Sequence, residues 1–282
     1  MVQHNRVIAE RVAAIPPFYV MEIVRRAKAL EAQGRDVIHL EVGEPDFPTP
    51  ADVTTAAMQA LAAGETRYTE SQGLPALRQA IAGYYRDRHG LLVDPARIQV
   101  TAGASGALLL AAAVTLDPGE RLLMADPGYP CNPWFAQAVG AGVHRLPTTA
   151  ATAFHPTVDQ LAALATPADR ALILAHPANP TGLAVPDASL GALLNWCRAT
   201  DRITILDEIY LDLVFTETVR SSLHQGADHW VIGSFSKTFN MTGWRLGWAV
   251  IPDGAVEAAT KLAQHLYISP PTLAQFAAMG CF

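Results

Sequence analysis

Cysteine is scarce in this chain: Cys131, Cys197 and Cys281 stand far apart among 282 residues. An odd, scattered set builds neither a disulfide framework nor a metal knuckle, so no metal is expected and a reducing, cytoplasmic setting is. No basic block occurs and the formal charge is −6, which argues against nucleic acid as the main partner. No stretch approaches the roughly 18 uninterrupted apolar residues of a membrane span. The opening Met1-Val2-Gln3-His4-Asn5-Arg6 lacks the apolar stretch of a secretion signal. Neither an internal repeat nor a low-complexity linker interrupts the sequence. Charged residues make up only 16%, while half the residues are hydrophobic. That balance suits a sizeable buried core, in one large domain or two ordinary ones.

What is present is a regular alternation. Residues 19–33 have the pattern of an amphipathic helix stopped by Gly34, and 37–42 that of a short apolar strand before the turn cluster Gly43-Glu44-Pro45-Asp46-Phe47-Pro48. Helices are expected over 51–63 and 74–89, the second with Pro75 near its start, where a missing N–H costs little. From residue 98 onward, short apolar runs at 98–101, 121–125, 143–146, 171–175, 203–206, 230–234 and 246–250 read as strands. Helical patterns at 103–116, 132–140 and 187–200 separate several of them, and another covers 272–279. Strands with few alternating polar residues are buried on both faces. The expectation is an α/β fold with a mostly parallel sheet flanked by helices. In such sheets ligands gather at the carboxyl ends of the strands, so the strand exits are the places to read for chemistry.

Five exits carry suggestive residues. Gly103-Ala104-Ser105-Gly106 opens a helix, and backbone N–H groups there can seat a phosphate, although glycine-rich turns are also common structural devices. Asp126-Pro127-Gly128-Tyr129-Pro130 offers Tyr129 as a ring to stack on a planar ligand, or simply a packed turn. Asn179-Pro180-Thr181-Gly182 offers an amide donor, or an ordinary turn. Asp207-Glu208-Ile209-Tyr210 puts a carboxylate at the mouth of a buried strand, costly unless paired, and a protonated pyridine nitrogen is a suitable partner. A helix-capping aspartate is the alternative. Lys237 lies in Ser234-Phe235-Ser236-Lys237-Thr238-Phe239-Asn240-Met241-Thr242-Gly243-Trp244-Arg245. Its amine can form a Schiff base with an aldehyde, while Ser234, Ser236 and Arg245 can hold a phosphate on the same molecule. A surface lysine in a polar loop is the bland reading of that residue alone.

Together these exits are far less ambiguous. Gly-Glu-Pro-Asp-Phe (43–47), Tyr-Thr-x-x-x-Gly-Leu-Pro-x-Leu-Arg (68–78), Asn-Pro-Thr-Gly (179–182), Asp-Glu-Ile-Tyr (207–210) and Ser-Phe-Ser-Lys-x-x-x-x-x-Gly-x-Arg occur in this order. With them the chain resembles, over nearly its whole length, the fold-type-I pyridoxal-phosphate enzymes, specifically the class I/II aminotransferases. The resemblance implies a large domain of the pyridoxal-phosphate-transferase type at 46–282, with 1–45 as an N-terminal arm and part of a small domain. It implies pyridoxal 5′-phosphate as cofactor and the exchange of an amino group between an amino acid and a 2-oxo acid. Lys237 is then the Schiff-base lysine and proton shuttle, Asp207 the partner of the pyridine nitrogen, and Tyr210 and Asn179 the contacts of the ring oxygen. Asn179 also reaches the substrate carboxylate, and Tyr129 stacks on the ring. Ala104 and Ser105 N–H groups join Ser234, Ser236 and Arg245 on the phosphate. Gly43 lies on the loop over the substrate carboxylate, and Ile15 and Phe18 lie in the segment lining the side-chain pocket. Tyr68 reaches the phosphate of a neighbouring subunit, which implies a homodimer.

Members of that family continue for on the order of 100 residues beyond a point like Phe282, as a second domain carrying an arginine for the substrate carboxylate. No such arginine is assignable here, so a fragment, a truncated gene and a separately supplied remainder all fit, and the chain alone is expected to bind cofactor but turn over weakly. Carbon–sulfur lyases and aminocyclopropane-carboxylate synthases share this scaffold and remain alternatives, as does a cofactor-binding fragment impaired in catalysis. A ligand-sensing regulator would need a DNA-binding domain, and residues 1–40 are too short and too weakly basic for one.

Overall fold

The computed structural model describes residues 7–215 and 219–282. Seven strands form one sheet in the order β1-β7-β6-β5-β4-β2-β3. They are β1 (Ile98–Thr101), β2 (Arg121–Asp126), β3 (Gly142–Pro147), β4 (Asp169–Ala175), β5 (Ile203–Asp207), β6 (Trp230–Ser234) and β7 (Gly247–Val250). Neighbours from β3 through β2, β4 and β5 to β6 pair in parallel. β7 pairs antiparallel with both β6 and β1. The reversal has a consequence for the site: the start of β7 lies at the edge where the other strands end.

Both faces of the sheet are apolar, which is why the strands read as continuous hydrophobic runs. On one face Leu172, Leu174, Leu206 and Val231 pack with Leu77 and Ile81 of α4 (Pro75–His89) and Leu190 and Leu194 of α8 (Asp187–Ala199). The same core takes Val53 of α3 (Ala51–Ala62) and Ala274 and Ala277 of α10 (Thr272–Ala278). On the other, Ile173, Ile205, Trp230 and Ile232 pack with Ala107 and Leu110 of α5 (Gly103–Thr115) and Ala259 and Ala263 of α9 (Val256–Tyr267). Shorter helices α6 (Asn132–Ala138) and α7 (Val158–Leu164) follow β2 and β3. At the N-terminal side, α1 (Glu10–Ala13) and α2 (Tyr19–Glu31) precede the sheet.

Two sequence expectations need correction. Residues 37–42 form no strand. A strand requires a neighbour's backbone, and among the described residues none pairs with this segment; Ile38 and Leu40 are 84% and 89% exposed. Helices α1, α7 and α9 lie where the sequence pattern predicts none. The signal for α7 was present, because Thr157 caps it by accepting from Gln160 N at 3.2 Å. No helix among the described residues is long and apolar enough to cross a membrane.

Candidate active site

The site is built on one edge of the sheet. At the end of β1 the chain turns into α5 through Gly103, whose φ is +73°. No side chain caps α5, so among the described residues its first N–H groups, including those of Ala104 and Ser105, have no side-chain partner. The place a Cβ on Gly103 would occupy is taken by the Arg245 guanidinium, whose Nη2 lies 2.6 Å from it. Arg245 reaches this spot because it stands just before β7, the reversed strand. It donates from Nη1 to Thr242 O at 3.0 Å and pairs with no carboxylate among the described residues. A guanidinium stacked on the positive end of a helix is unfavourable unless an anion is shared between them, so this corner fits a phosphate. Ser234 and Ser236 are buried beside it, with Ser236 N donating to Ser234 Oγ at 3.0 Å.

Asp207 ends β5. It is 4% exposed, and among the described residues its carboxylate accepts only from Ile209 N, at 3.3 Å. Burial pushes its pKa up to about 6. A buried carboxylate without a cation is an incomplete arrangement, and a protonated ring nitrogen completes it. Asn179, beyond β4, donates from Nδ2 to Tyr210 Oη at 3.5 Å. Burial raises the pKa of Tyr210, and the nearby Asp207 carboxylate adds to that. Tyr129 is raised too, first by burial and then by its bond to Cys131, with Asp207 and Tyr210 contributing. Tyr129, Asn179, Asp207 and Tyr210 therefore share one electrostatic neighbourhood.

Lys237 follows β6. Its Nζ donates to Gly43 O at 2.5 Å. Burial lowers its pKa and Arg245 lowers it further, while Glu44 opposes both. A depressed lysine has more of the neutral amine that acts as nucleophile and base. The structure thus brings Lys237 to Gly43 and under the influence of Arg245, and separately groups Asp207 and Tyr210 with Asn179 and Tyr129. Tyr68 lies elsewhere on the surface and is 76% exposed. Ile15 is half-buried and Phe18 exposed; their segment is held at α6, where Gln137 Nε2 donates to Arg11 O at 2.7 Å.

Sequence reasoning passed over Glu44, Thr242, Glu208 and His176. Glu208 is 5% exposed and accepts from Ser221 Oγ at 2.8 Å and Ser222 N at 2.6 Å. Burial pushes its pKa up to about 7 against those two bonds. His176 Nδ1 accepts from Val185 N at 3.0 Å and Nε2 donates to Arg220 O at 3.0 Å. These buried groups tie the Asn179 loop and the Tyr210 loop to one another. Glu44 and Glu208 each sit beside a residue the motifs had singled out, which was the available signal.

An α/β sheet with an unpaired carboxylate, a depressed lysine and an anion seat at its strand exits defines a pyridoxal-phosphate enzyme of the transferase type. The aminotransferase class I and II family matches residues 35–281. Valine–pyruvate aminotransferase of Mycobacterium tuberculosis is 39% identical over 272 residues, 96% of this chain and 70% of that protein. Aspartate aminotransferase of Geobacillus stearothermophilus is 35% identical over 98% of this chain and 71% of its own length. Among solved structures, an aminotransferase from Mycobacterium tuberculosis superposes with a TM-score of 0.93 at 38% identity, covering 97% of this chain and 71% of that one. Thermus thermophilus aspartate aminotransferase with maleate gives 0.92 at 33% identity, covering 98% and 72%. The chain belongs to the class I and II aminotransferases: it is an enzyme that transfers amino groups using pyridoxal 5′-phosphate.

Proposed function

We propose that this aminotransferase takes its amino group from an amino acid with a neutral side chain, with the residues at the strand exits in distinct roles. The buried Asp207 carboxylate, with no cation of its own, carries the reading of the site. Pyridoxal phosphate, when bound, supplies an aldehyde that takes up the amino group and a ring that accepts the electron pair left at Cα. Asp207 holds the proton on the ring nitrogen. Tyr210 and Asn179 hold the ring oxygen, and Tyr129 covers the ring face. Ala104 and Ser105 N–H groups, Ser234, Ser236 and Arg245 hold the phosphate. Lys237, as a neutral amine, takes the Cα proton and delivers it again. Asn179 and the Gly43 segment orient the substrate carboxylate, and the segment of Ile15 and Phe18 lines the side-chain pocket. On this reading residues 1–45 are an N-terminal arm and part of a small domain, and 46–282 the large cofactor-binding domain. A neutral donor is supported by these apolar residues and by the valine–pyruvate activity named for one relative.

The test is an absorbance spectrum after incubation with pyridoxal phosphate and desalting, followed by borohydride reduction and peptide mapping. A visible band and a reduced adduct on Lys237 are expected, and an adduct on any other lysine would overturn the assignment. Valine and alanine should bleach the band. Bleaching by aspartate alone would replace the neutral donor with a dicarboxylate.

A further inference from the structure

Residues 43–49 have no regular secondary structure, yet four contacts tie them to the loop after β6. Gly43 O accepts from Lys237 Nζ at 2.5 Å. Thr242 Oγ1 donates to the Glu44 carboxylate. Trp244 Nε1 donates to Thr49 Oγ1 at 3.0 Å, and Thr49 Oγ1 donates to Asn240 O at 3.4 Å. Thr242 and Trp244 belong to one 3₁₀ turn (Thr242–Trp244) that runs directly into Arg245. The segment is not held down by apolar burial, since its Phe47 is 74% exposed. Its hold on the loop is therefore polar. Glu44 N donates to Val42 O at 2.9 Å, which closes a tight turn about Gly43, and Pro45 restricts the backbone of Glu44, so the Glu44 side chain and the Gly43 carbonyl are carried by one short constrained stretch.

We propose that Glu44 is a positioning residue for Lys237: by accepting from Thr242 it latches residues 43–49 over the lysine and sets the Gly43 carbonyl on the amine. The proposal rests on Lys237 being the reactive amine. Bond formation with an aldehyde needs that amine free. Its nitrogen adds to the carbonyl carbon, its two protons leave with the carbonyl oxygen as water, and a C=N bond remains. A hydrogen bond to Gly43 stabilises the amine before this step and so slows it. Among the described residues, the charged groups acting on Lys237 are Glu44 and Arg245. Glu44 thus has two ways to act, through its bond to Thr242 or through its charge, and the two are separable by experiment.

The cofactor-free chain is mixed with pyridoxal phosphate across a pH series, quenched with borohydride, and the adduct on Lys237 is counted over time. Losing the latch should speed capture about fivefold, the size expected for one hydrogen bond. Glu44→Leu, which has no acceptor, and Thr242→Val should both do so, and Thr242→Ser, which keeps the hydroxyl, should restore the slow rate; Glu44→Gln removes the charge but keeps an acceptor and should stay slow. Thr242→Val leaves the carboxylate in place, so its pH profile should keep the wild-type midpoint. Equal rates in all variants would sink the latch while leaving Lys237 as the reactive amine. A faster Glu44→Gln with an unchanged Thr242→Val would also overturn it, since Glu44 would then act by charge alone. An adduct on another lysine would instead defeat the reading on which the proposal rests.

Discussion

At the scale of single residues, Asp207 shows how a binding group can weigh against the fold that carries it. Its pKa stands near 6, against an ordinary 3.8, because burial disfavours the charged form. An acid whose folded pKa is raised holds its proton more tightly in the native state, so stability falls as pH rises between about 4 and about 6. Above that window the charged carboxylate costs the cofactor-free chain about 2–3 kcal/mol. Asp207→Asn should therefore melt higher than wild type at pH 7, with the advantage shrinking toward pH 4. Its affinity for pyridoxal phosphate should fall, because the ring nitrogen loses its ionic partner. Calorimetry of the cofactor-free proteins across pH, with a cofactor titration at pH 7, checks both halves; a variant no more stable at pH 7 would show that Asp207 is not strained. The same residues also mark what was legible in the sequence. Asp207, Asn179, Tyr129 and Lys237 stand at strand exits that the apolar runs revealed. Glu44 and Thr242 did not stand out as a pair, because they are 198 positions apart and no local pattern connects them.

At the scale of elements, the reversed strand β7 is the part the sequence concealed. Its run Gly247–Val250 is as apolar as its neighbours and carries no mark of direction. Direction came from the connection after β6, which holds the 3₁₀ turn Thr242–Trp244 and no helix to cross the sheet. Residues 37–42 misled for the opposite reason: an apolar run indicates that a strand can form, whereas pairing depends on a neighbour that the pattern does not report. The reversal also makes Gly247 critical. A Cβ there would lie 2.6 Å from Ala104 N and 2.7 Å from Gly103 C, so β7 and the start of α5 approach as closely as backbones can. Gly247→Ala should push the helix start away from Arg245 and lower stability by about 1–3 kcal/mol, the usual cost of overpacking. Gly254→Ala, where a Cβ meets nothing within 4 Å, should stay within about 0.5 kcal/mol of wild type. Thermal melts of both variants, with phosphate binding to the cofactor-free chain, separate the two sites. A Gly247→Ala protein that melts and binds like wild type would mean that the contact yields without cost.

At the scale of the whole molecule, the open question is what Tyr68 does on a surface where it is 76% exposed. An exposed tyrosine needs no explanation alone. This one, however, begins the run from Tyr68 to Arg78 in which Leu77 reaches the core, so the residues around it are fixed while its own ring is not covered. Met58 and Leu61 of α3 are exposed as well, at 72% and 58%. If Tyr68 donates to the phosphate in the other protomer's site, Tyr68→Phe should weaken cofactor binding about tenfold, as expected for a hydrogen bond to a charged group. Mixing supplies the decisive version. A Lys237→Ala chain retains Tyr68, and a Tyr68→Phe chain retains Lys237. In a mixed dimer one site would combine an intact lysine with an intact tyrosine from its partner. Wild-type cofactor affinity should return in a fraction of sites set by the mixing ratio. No recovery, in a mixture shown by sedimentation to contain the mixed dimer, would place Tyr68 in service of its own chain. A monomer at all concentrations would remove the shared site altogether.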